Sequence, residues 1–136
     1  YIVGLTRGGN IPATIISNHT GIRCEALKIS LRDDNMSPEH NCWMSEDAFN
    51  GEKILVIDDI NDTGSTFNWL QQDWQASCLP DDIKWEQIWD NTVRFATLTE
   101  NLSSEFGQVR YTCHEVNKAE QDVWLVYPWE PQPIRE

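Results

Sequence analysis

At 136 residues the chain is sized for one domain with a single core, and its 40% apolar content is that of a globular rather than a disordered protein. Acids outnumber bases 22 to 10, and the resulting charge of -12 repels phosphate backbones with no basic patch to offset it, which argues against nucleic-acid binding. The longest aliphatic run, Ile54 to Ile57, is far short of the ~20 apolar residues of a membrane helix, and four scattered cysteines without a C-x-x-C pair argue against zinc and for reduced thiols in a cytoplasmic protein.

Tyr1 to Thr6 is a short apolar run ending at Arg7-Gly8-Gly9, the pattern of a buried strand entering a tight loop. It has no lead-in, so the sequence reads as starting inside the domain. Asn10 is an expected N-cap with Pro12 in the first turn. Ile11, Ile15 and Ile16 then mark one helical face, and Gly21 ends the helix. Arg23 to Ser30 is a second predicted strand.

Residues 31–51 carry no sustained period, and a stretch of that length inside a compact domain predicts a flexible lid loop. Lys53 to Ile57 is the strongest predicted strand, fit for a sheet covered on both faces. Helix is expected from Ser65 to about Ala76, with Phe67, Leu70 and Trp74 at helical spacing. A short helix follows from Ile83 to Trp89, capped by Asp81 or Asp82. Val93 to Leu98 and Val109 to Val116 are further strands, separated by a turn or short helix at Asn101 to Phe106. Val123 to Tyr127 is a last apolar segment, and Pro131-Gln132-Pro133 ends the chain as a tail. Strands alternating with helices predict an α/β fold, a mostly parallel twisted sheet flanked by helices, over a single domain 1–136.

Chemistry concentrates where the best strand ends. Asp58, Asp59 and Asp62 follow Ile54 to Ile57, and Thr63-Gly64-Ser65-Thr66 comes next. A prenyl-diphosphate type of magnesium cluster needs its acids on a helix, where first and fifth positions share a face; a strand before and a glycine after rule that out. No Gly-Lys-Ser/Thr exists for a P-loop, and Arg7-Gly8-Gly9 lacks the third glycine of a dinucleotide fingerprint. A glycine-containing loop at a helix mouth presents successive N–H groups and the positive end of the helix dipole to an anion. The acids upstream suit sugar hydroxyls or a hard cation. The plain alternative, Asp62 as a helix cap beside solvated acids, explains less of this order.

The segment Val56-Ile-Asp-Asp-Ile-Asn-Asp-Thr-Gly-Ser-Thr66 resembles the PRPP-binding motif of type I phosphoribosyltransferases. Val3-Gly-Leu-Thr-Arg-Gly-Gly9 is similar to that family's pyrophosphate loop, and Trp124-Leu-Val-Tyr-Pro-Trp-Glu130 to the purine-pocket ending of its xanthine-guanine and hypoxanthine branch. The resemblance implies a Rossmann-like core with a lid and a small C-terminal hood, and transfer of phosphoribose from PRPP to a purine base with Mg2+, in nucleotide salvage. The family's N-terminal helix is missing, and Leu70 to Asn91 is longer than the family pattern. By the resemblance, Asp58 and Asp59 hold the ribose hydroxyls and Mg2+, and Asp62 is the general base. Asp62, Thr63, Gly64, Ser65 and Thr66 cradle the 5-phosphate, and Arg7, Gly8 and Arg32 meet pyrophosphate. Trp124 stacks on the base and the backbone near Leu125 reads its edge. The family's lysine for the 6-oxo group is absent from Thr99-Glu100-Asn101, where Asn101 is left to donate to an oxo group or accept from an amino group. Trp129 reads as structural. Trp69, Trp74, Trp85 and Trp89 fall at core-like or interface-like spacings, and a homodimer or homotetramer is expected. A regulator that senses PRPP or nucleotide without catalysis is the competing function.

Overall fold

The computed structural model describes residues 1–29 and 42–130. The expected pyrophosphate contact Arg32, the first part of the expected lid and the Pro-Gln-Pro tail lie outside these residues. Strands β1 (Ile2–Thr6), β2 (Cys24–Lys28), β3 (Ile54–Asn61), β4 (Val93–Asn101) and β5 (Val109–Val116) form one sheet in the order β2-β1-β3-β4-β5, with every pairing parallel. Helices α1 (Asn10–Thr20), α2 (Cys42–Phe49), α3 (Ser65–Ser77) and α4 (Trp85–Ile88) complete the described elements.

The period-two alternation of the strands divides the core. Val3, Leu5, Ile54, Val56, Val93 and Phe95 share one cluster with Met44 of α2, Phe67, Leu70 and Trp74 of α3, and Trp85 of α4. Their neighbours Ile2, Ile57 and Ala96 point the other way, onto Ala13 of α1. Covered on both faces at its centre, β3 reads as an aliphatic run for the reason expected of a parallel sheet. Aromatic rings dominate the larger cluster, with Phe67, Phe95 and Phe106 at centroid separations of 4.9–5.2 Å and Trp85 stacked on Trp89 at 5.3 Å. Trp74 and Trp85 are buried and Trp69 and Trp89 pack against their cluster, so all four contribute to the core.

Four expectations change. The buried face of α1 is Pro12 and Ala13, while Ile15 is 52% exposed. A Cβ on Gly4 would lie 2.8 Å from that of Ala13, so strand and helix approach through small residues and the isoleucines are left outside. The same helix starts at Asn10 after Gly9, with no side-chain cap bond. Residues 42–49 of the expected lid form α2, whose inward face is Met44, Ser45 and Ala48; Ser45 Oγ donates to the Trp74 carbonyl. A serine and an alanine on the buried face hide the helical period from a hydrophobicity reading. Lastly, β3 does not stop at Ile57. Asp58, Ile60 and Asn61 still pair with Thr97, Thr99 and Glu100, so both leading acids are strand residues and the loop starts at Asp62.

Residues 102–108 alone connect β4 to β5, without a helix. The segment runs back over α3, burying Phe106 against Phe67 and receiving a hydrogen bond from Gln71 Nε2 to Gln108 Oε1 at 2.6 Å. Elsewhere the helix expected to be capped by Asp81 or Asp82 proves shorter, Trp85–Ile88, with Lys84 at its N-cap and no side-chain cap bond; Asp82 Oδ1 accepts from the Lys84 amide at 2.9 Å just ahead of it. No helix among the described residues is long and apolar enough to cross a membrane.

Candidate active site

In the strand order 2-1-3-4-5 the direction of winding reverses between β1 and β3, and the carboxyl ends of those strands flank the crevice where ligands of such sheets bind. The two motifs singled out in the sequence meet there. A Cβ on Gly8 would fall 2.2 Å from Asp59 Oδ2, and one on Gly9 would fall 2.3 Å from the Ile57 carbonyl oxygen. The Arg7-Gly8-Gly9 loop therefore lies directly against the end of β3, and only glycines fit between them. The Thr6–Arg7 peptide is cis, and the Arg7 side chain is exposed.

A cleft of about 360 Å³ opens along this edge, walled by Asp58, Asp59, Asp62 and the Thr63–Thr66 loop. Asp58 Oδ1 accepts from the Asp59 amide and Asp59 Oδ1 from the Ile60 amide, each at 2.8 Å. Folding back in this way, each half-buried carboxylate is fixed onto the amide of the next residue. Gly64 has φ +94, and a Cβ there would lie 2.6 Å from the Phe106 amide nitrogen. A side chain is thus refused on both conformational and steric grounds at the turn that opens α3. Thr63 and Ser65 hydroxyls are 3.0 Å apart, and Thr63 Oγ1 accepts from the Ser65 amide at 3.3 Å. The Glu105 amide donates to the Thr63 carbonyl at 3.0 Å, so the 102–108 segment supports the loop from behind. Asn61 does the same from the strand: its Nδ2 donates to the Phe106 carbonyl at 3.0 Å and to Glu100 Oε1 at 2.9 Å. Burial pushes the Glu100 carboxyl upward against the pull of that amide, and Glu115 beside it adds to the rise.

A second opening of about 350 Å³ shares Asp62, Thr63 and Ser65 and is completed by Asn101, Ser103 and Lys118. Asn101 is 5% exposed and its amide is occupied at both ends. Nδ2 donates to the Asp62 carbonyl at 2.8 Å. Oδ1 accepts from Ser103 Oγ at 2.9 Å and from the Lys118 amide at 3.0 Å. The Lys118 ammonium reaches Asp62 Oδ1 at 3.0 Å.

No family model matches the chain. It is 27% identical to xanthine-guanine phosphoribosyltransferase of Gluconobacter oxydans over 98% of this chain and 70% of that protein, and 27% identical to the enzyme of the same name from Idiomarina loihiensis over 95% and 70%. The purine phosphoribosyltransferase of Pyrococcus horikoshii superposes with a TM-score of 0.63 at 19% identity, covering 99% of this chain and 79% of that one. Over nearly its whole length the chain is similar to phosphoribosyltransferases that act on purine bases, and it shares their fold. The Helicobacter pylori xanthine-guanine-hypoxanthine phosphoribosyltransferase shares the fold at a TM-score of 0.57, with 17% identity over 86% of this chain and 70% of that one.

Within this phosphoribosyltransferase fold, the structure brings Gly8, Asp58, Asp59 and Asp62 to Thr66 together along one edge. Asn101 sits beside them, with its amide turned into the protein. Trp124 projects from residues 117–130 at 83% exposure, and Leu125 is half-buried. The ring of Trp124 has the Lys118 ammonium 6.0 Å from its centroid. Trp129 stacks on Tyr127 with parallel rings 4.9 Å apart, in keeping with a structural part.

Two residues escaped the sequence reading. Tyr127 Oη donates to Thr99 Oγ1 at 2.7 Å and lies 3.2 Å from the Asp59 carbonyl oxygen, docking the C-terminal segment onto the ends of β3 and β4. Burial raises its phenol above the ordinary range. Its signal was an aromatic before Pro128, a pairing overshadowed by the neighbouring tryptophans. Lys118 was missed because its contact with Asp62 is made only when the segment after β5 meets the end of β3.

Proposed function

We propose that the chain is an enzyme that transfers the phosphoribosyl group of PRPP to a purine base, releasing pyrophosphate and a nucleoside 5'-monophosphate, in the salvage of free bases. The observation that carries this reading is the contact of the Arg7-Gly8-Gly9 loop with Asp59. On this reading the leaving group lies beside the sugar, and the cleft that Asp59 walls runs on to Thr63–Thr66 for the 5-phosphate. The relatives' names support the reaction class.

Thr63 to Thr66 hold the 5-phosphate through backbone N–H groups and hydroxyls at the mouth of α3. Asp58 and Asp59 accept from ribose hydroxyls, and Arg7 faces the pyrophosphate. The bond from C1 to the pyrophosphate oxygen breaks with its electron pair leaving on that oxygen. One imidazole nitrogen of the purine supplies the pair for the new C–N bond as the proton on N7, the other imidazole nitrogen, passes to Asp62. The sugar becomes positive as the leaving group departs, and the carboxylates along β3 stabilise that charge. Two adjacent, half-buried carboxylates are an all-oxygen donor set that fits Mg2+, which takes one or two protein carboxylates and completes its shell from substrate oxygens and water. Asp58 and Asp59 would hold it, and it would supply neutralisation of the leaving group.

Incubation with Mg2+, PRPP and each of guanine, xanthine, hypoxanthine, adenine, uracil and orotate, followed by pyrophosphate release, tests the proposal. Turnover with at least one purine and none with the pyrimidines is expected. PRPP binding without turnover of any base would favour the sensor and end the catalytic reading.

A further inference from the structure

Resting on that reading, with the exposed ring of Trp124 as the face on which the base stacks, we propose that Tyr127 is a positioning residue. Its phenol pins the segment that carries this ring to the strand ends that carry the sugar site. Residues 117–130 follow β5 as turns and extended chain, without a helix or strand of their own, so the place of Trp124 depends on where this stretch is tied. At one end the Lys118 amide bonds Asn101 Oδ1 at 3.0 Å and the Lys118 ammonium reaches Asp62 Oδ1 at 3.0 Å. At the other, Tyr127 Oη donates to Thr99 Oγ1 of β4 at 2.7 Å and lies 3.2 Å from the Asp59 carbonyl oxygen of β3. Trp124 stands between the two ties, close to the second.

The second tie is made to hold. Thr99 is buried, and the half-buried phenol is lifted by that burial above its ordinary range, so it stays a protonated donor at neutral and alkaline pH. Trp129 stacks on the Tyr127 ring with the two planes 3° apart, which limits the swing of the ring. The tie also joins the base to the sugar. Asp59 carries both the carbonyl beside the phenol and the carboxylate assigned to the ribose, and that carboxylate is fixed separately on the Ile60 amide. The phenol thus sets where a stacked base stands relative to C1 of the sugar without touching either. A base that binds to a loose platform has to immobilise it, and that cost lowers the base's affinity.

Stability and positioning can be separated. Tyr127→Phe keeps the ring and its stacking but leaves the buried Thr99 hydroxyl without a partner, which destabilises the fold. Adding Thr99→Val removes that orphan and restores most of the stability, yet it does not restore the tie.

Calorimetric binding of guanosine and adenosine monophosphates and of ribose 5-phosphate to the full chain, with the Tm of each variant, tests this. Tyr127→Phe should weaken the nucleotides by about 3–10-fold, the worth of one hydrogen bond. Ribose 5-phosphate fills the phosphate and sugar places without a base, and its affinity should stay within about twofold. The double variant should regain Tm but not nucleotide affinity. In turnover, both variants should raise KM for the purine while kcat and KM for PRPP change less than about twofold, the pattern of lost binding rather than lost chemistry. Nucleotide affinity that is unchanged, that falls together with ribose 5-phosphate, or that returns with Tm in the double variant would overturn the proposal. If no base is turned over yet nucleotide affinity follows Tyr127 as stated, the positioning role stands and the catalytic reading falls. If a purine is turned over and Tyr127→Phe alters neither nucleotide binding nor KM, the reverse holds.

Discussion

Replacing Asn101 by alanine separates a buried tie from a base-reading amide. The side chain carries hydrogen bonds of 2.8 Å to the Asp62 carbonyl, 3.0 Å from the Lys118 amide and 2.9 Å from Ser103 Oγ. Ser103 is exposed and exchanges its bond for one to water. The Asp62 carbonyl and the Lys118 amide face a side chain that is 5% exposed, so alanine leaves two partly buried groups without partners. At ~1–2 kcal/mol each, the lower part of the range for orphaned polar groups, the loss of stability is about 2–4 kcal/mol. For a chain of this length that corresponds to a fall in Tm of about 6–15 °C. Urea unfolding followed by tryptophan fluorescence reads the first number and calorimetry the second. Turnover should drop by a similar factor for every base, because Asp62 and Lys118 lose their common anchor. A stability loss under ~0.5 kcal/mol, combined with a changed order of base preference, would mean that the amide faces the substrate and would refute the reasoning.

Three further outcomes are expected. Asp62→Asn should reduce turnover by ~10²–10⁴-fold, the worth of a general base, with PRPP affinity held within a few-fold; unaltered turnover would remove Asp62 from the chemistry. Gly64→Ala combines an unfavourable positive φ with a Cβ 2.6 Å from the Phe106 amide nitrogen, so it should weaken PRPP binding measured by calorimetry by ~10-fold or more; full affinity would show that the loop binds no phosphate. Because burial raises the folded-state value of Glu100 above its unfolded one, its contribution is fully present below the unfolded value and is lost as pH rises through the folded value. Glu100→Gln should accordingly raise Tm relative to wild type at pH 8 and lose that advantage near pH 4; a difference independent of pH would contradict this.

The sheet and the glycine turn at the mouth of α3 were legible because their signals are local. A strand buried on both faces must be continuously aliphatic, as Ile54 to Ile57 is, and a positive φ at a helix mouth selects glycine, as at Gly64. The α1 face was misread because burial there depends on a partner, Gly4, distant in sequence. The α2 helix was missed because a buried serine satisfied by a carbonyl of α3 looks polar to any periodicity count. The occupied amide of Asn101 was hidden for a similar reason. Which amide is already occupied is a fact of three loops meeting, and no spacing within one segment encodes it.

The helix-free return from β4 to β5 bears on how early the Thr63–Thr66 loop takes its shape. Its Glu105 amide grips the loop at the Thr63 carbonyl, its Phe106 carbonyl is held by Asn61 of β3, and the Phe106 ring lies in the core cluster that holds the sheet. The loop's conformational entropy is thus lost when the domain folds rather than when an anion arrives. Its amides should exchange with deuterium only in step with those of β3 and β4, as one cooperative unit. An anion would then meet a preorganised cradle, with encounter rather than loop closure setting the pace of capture.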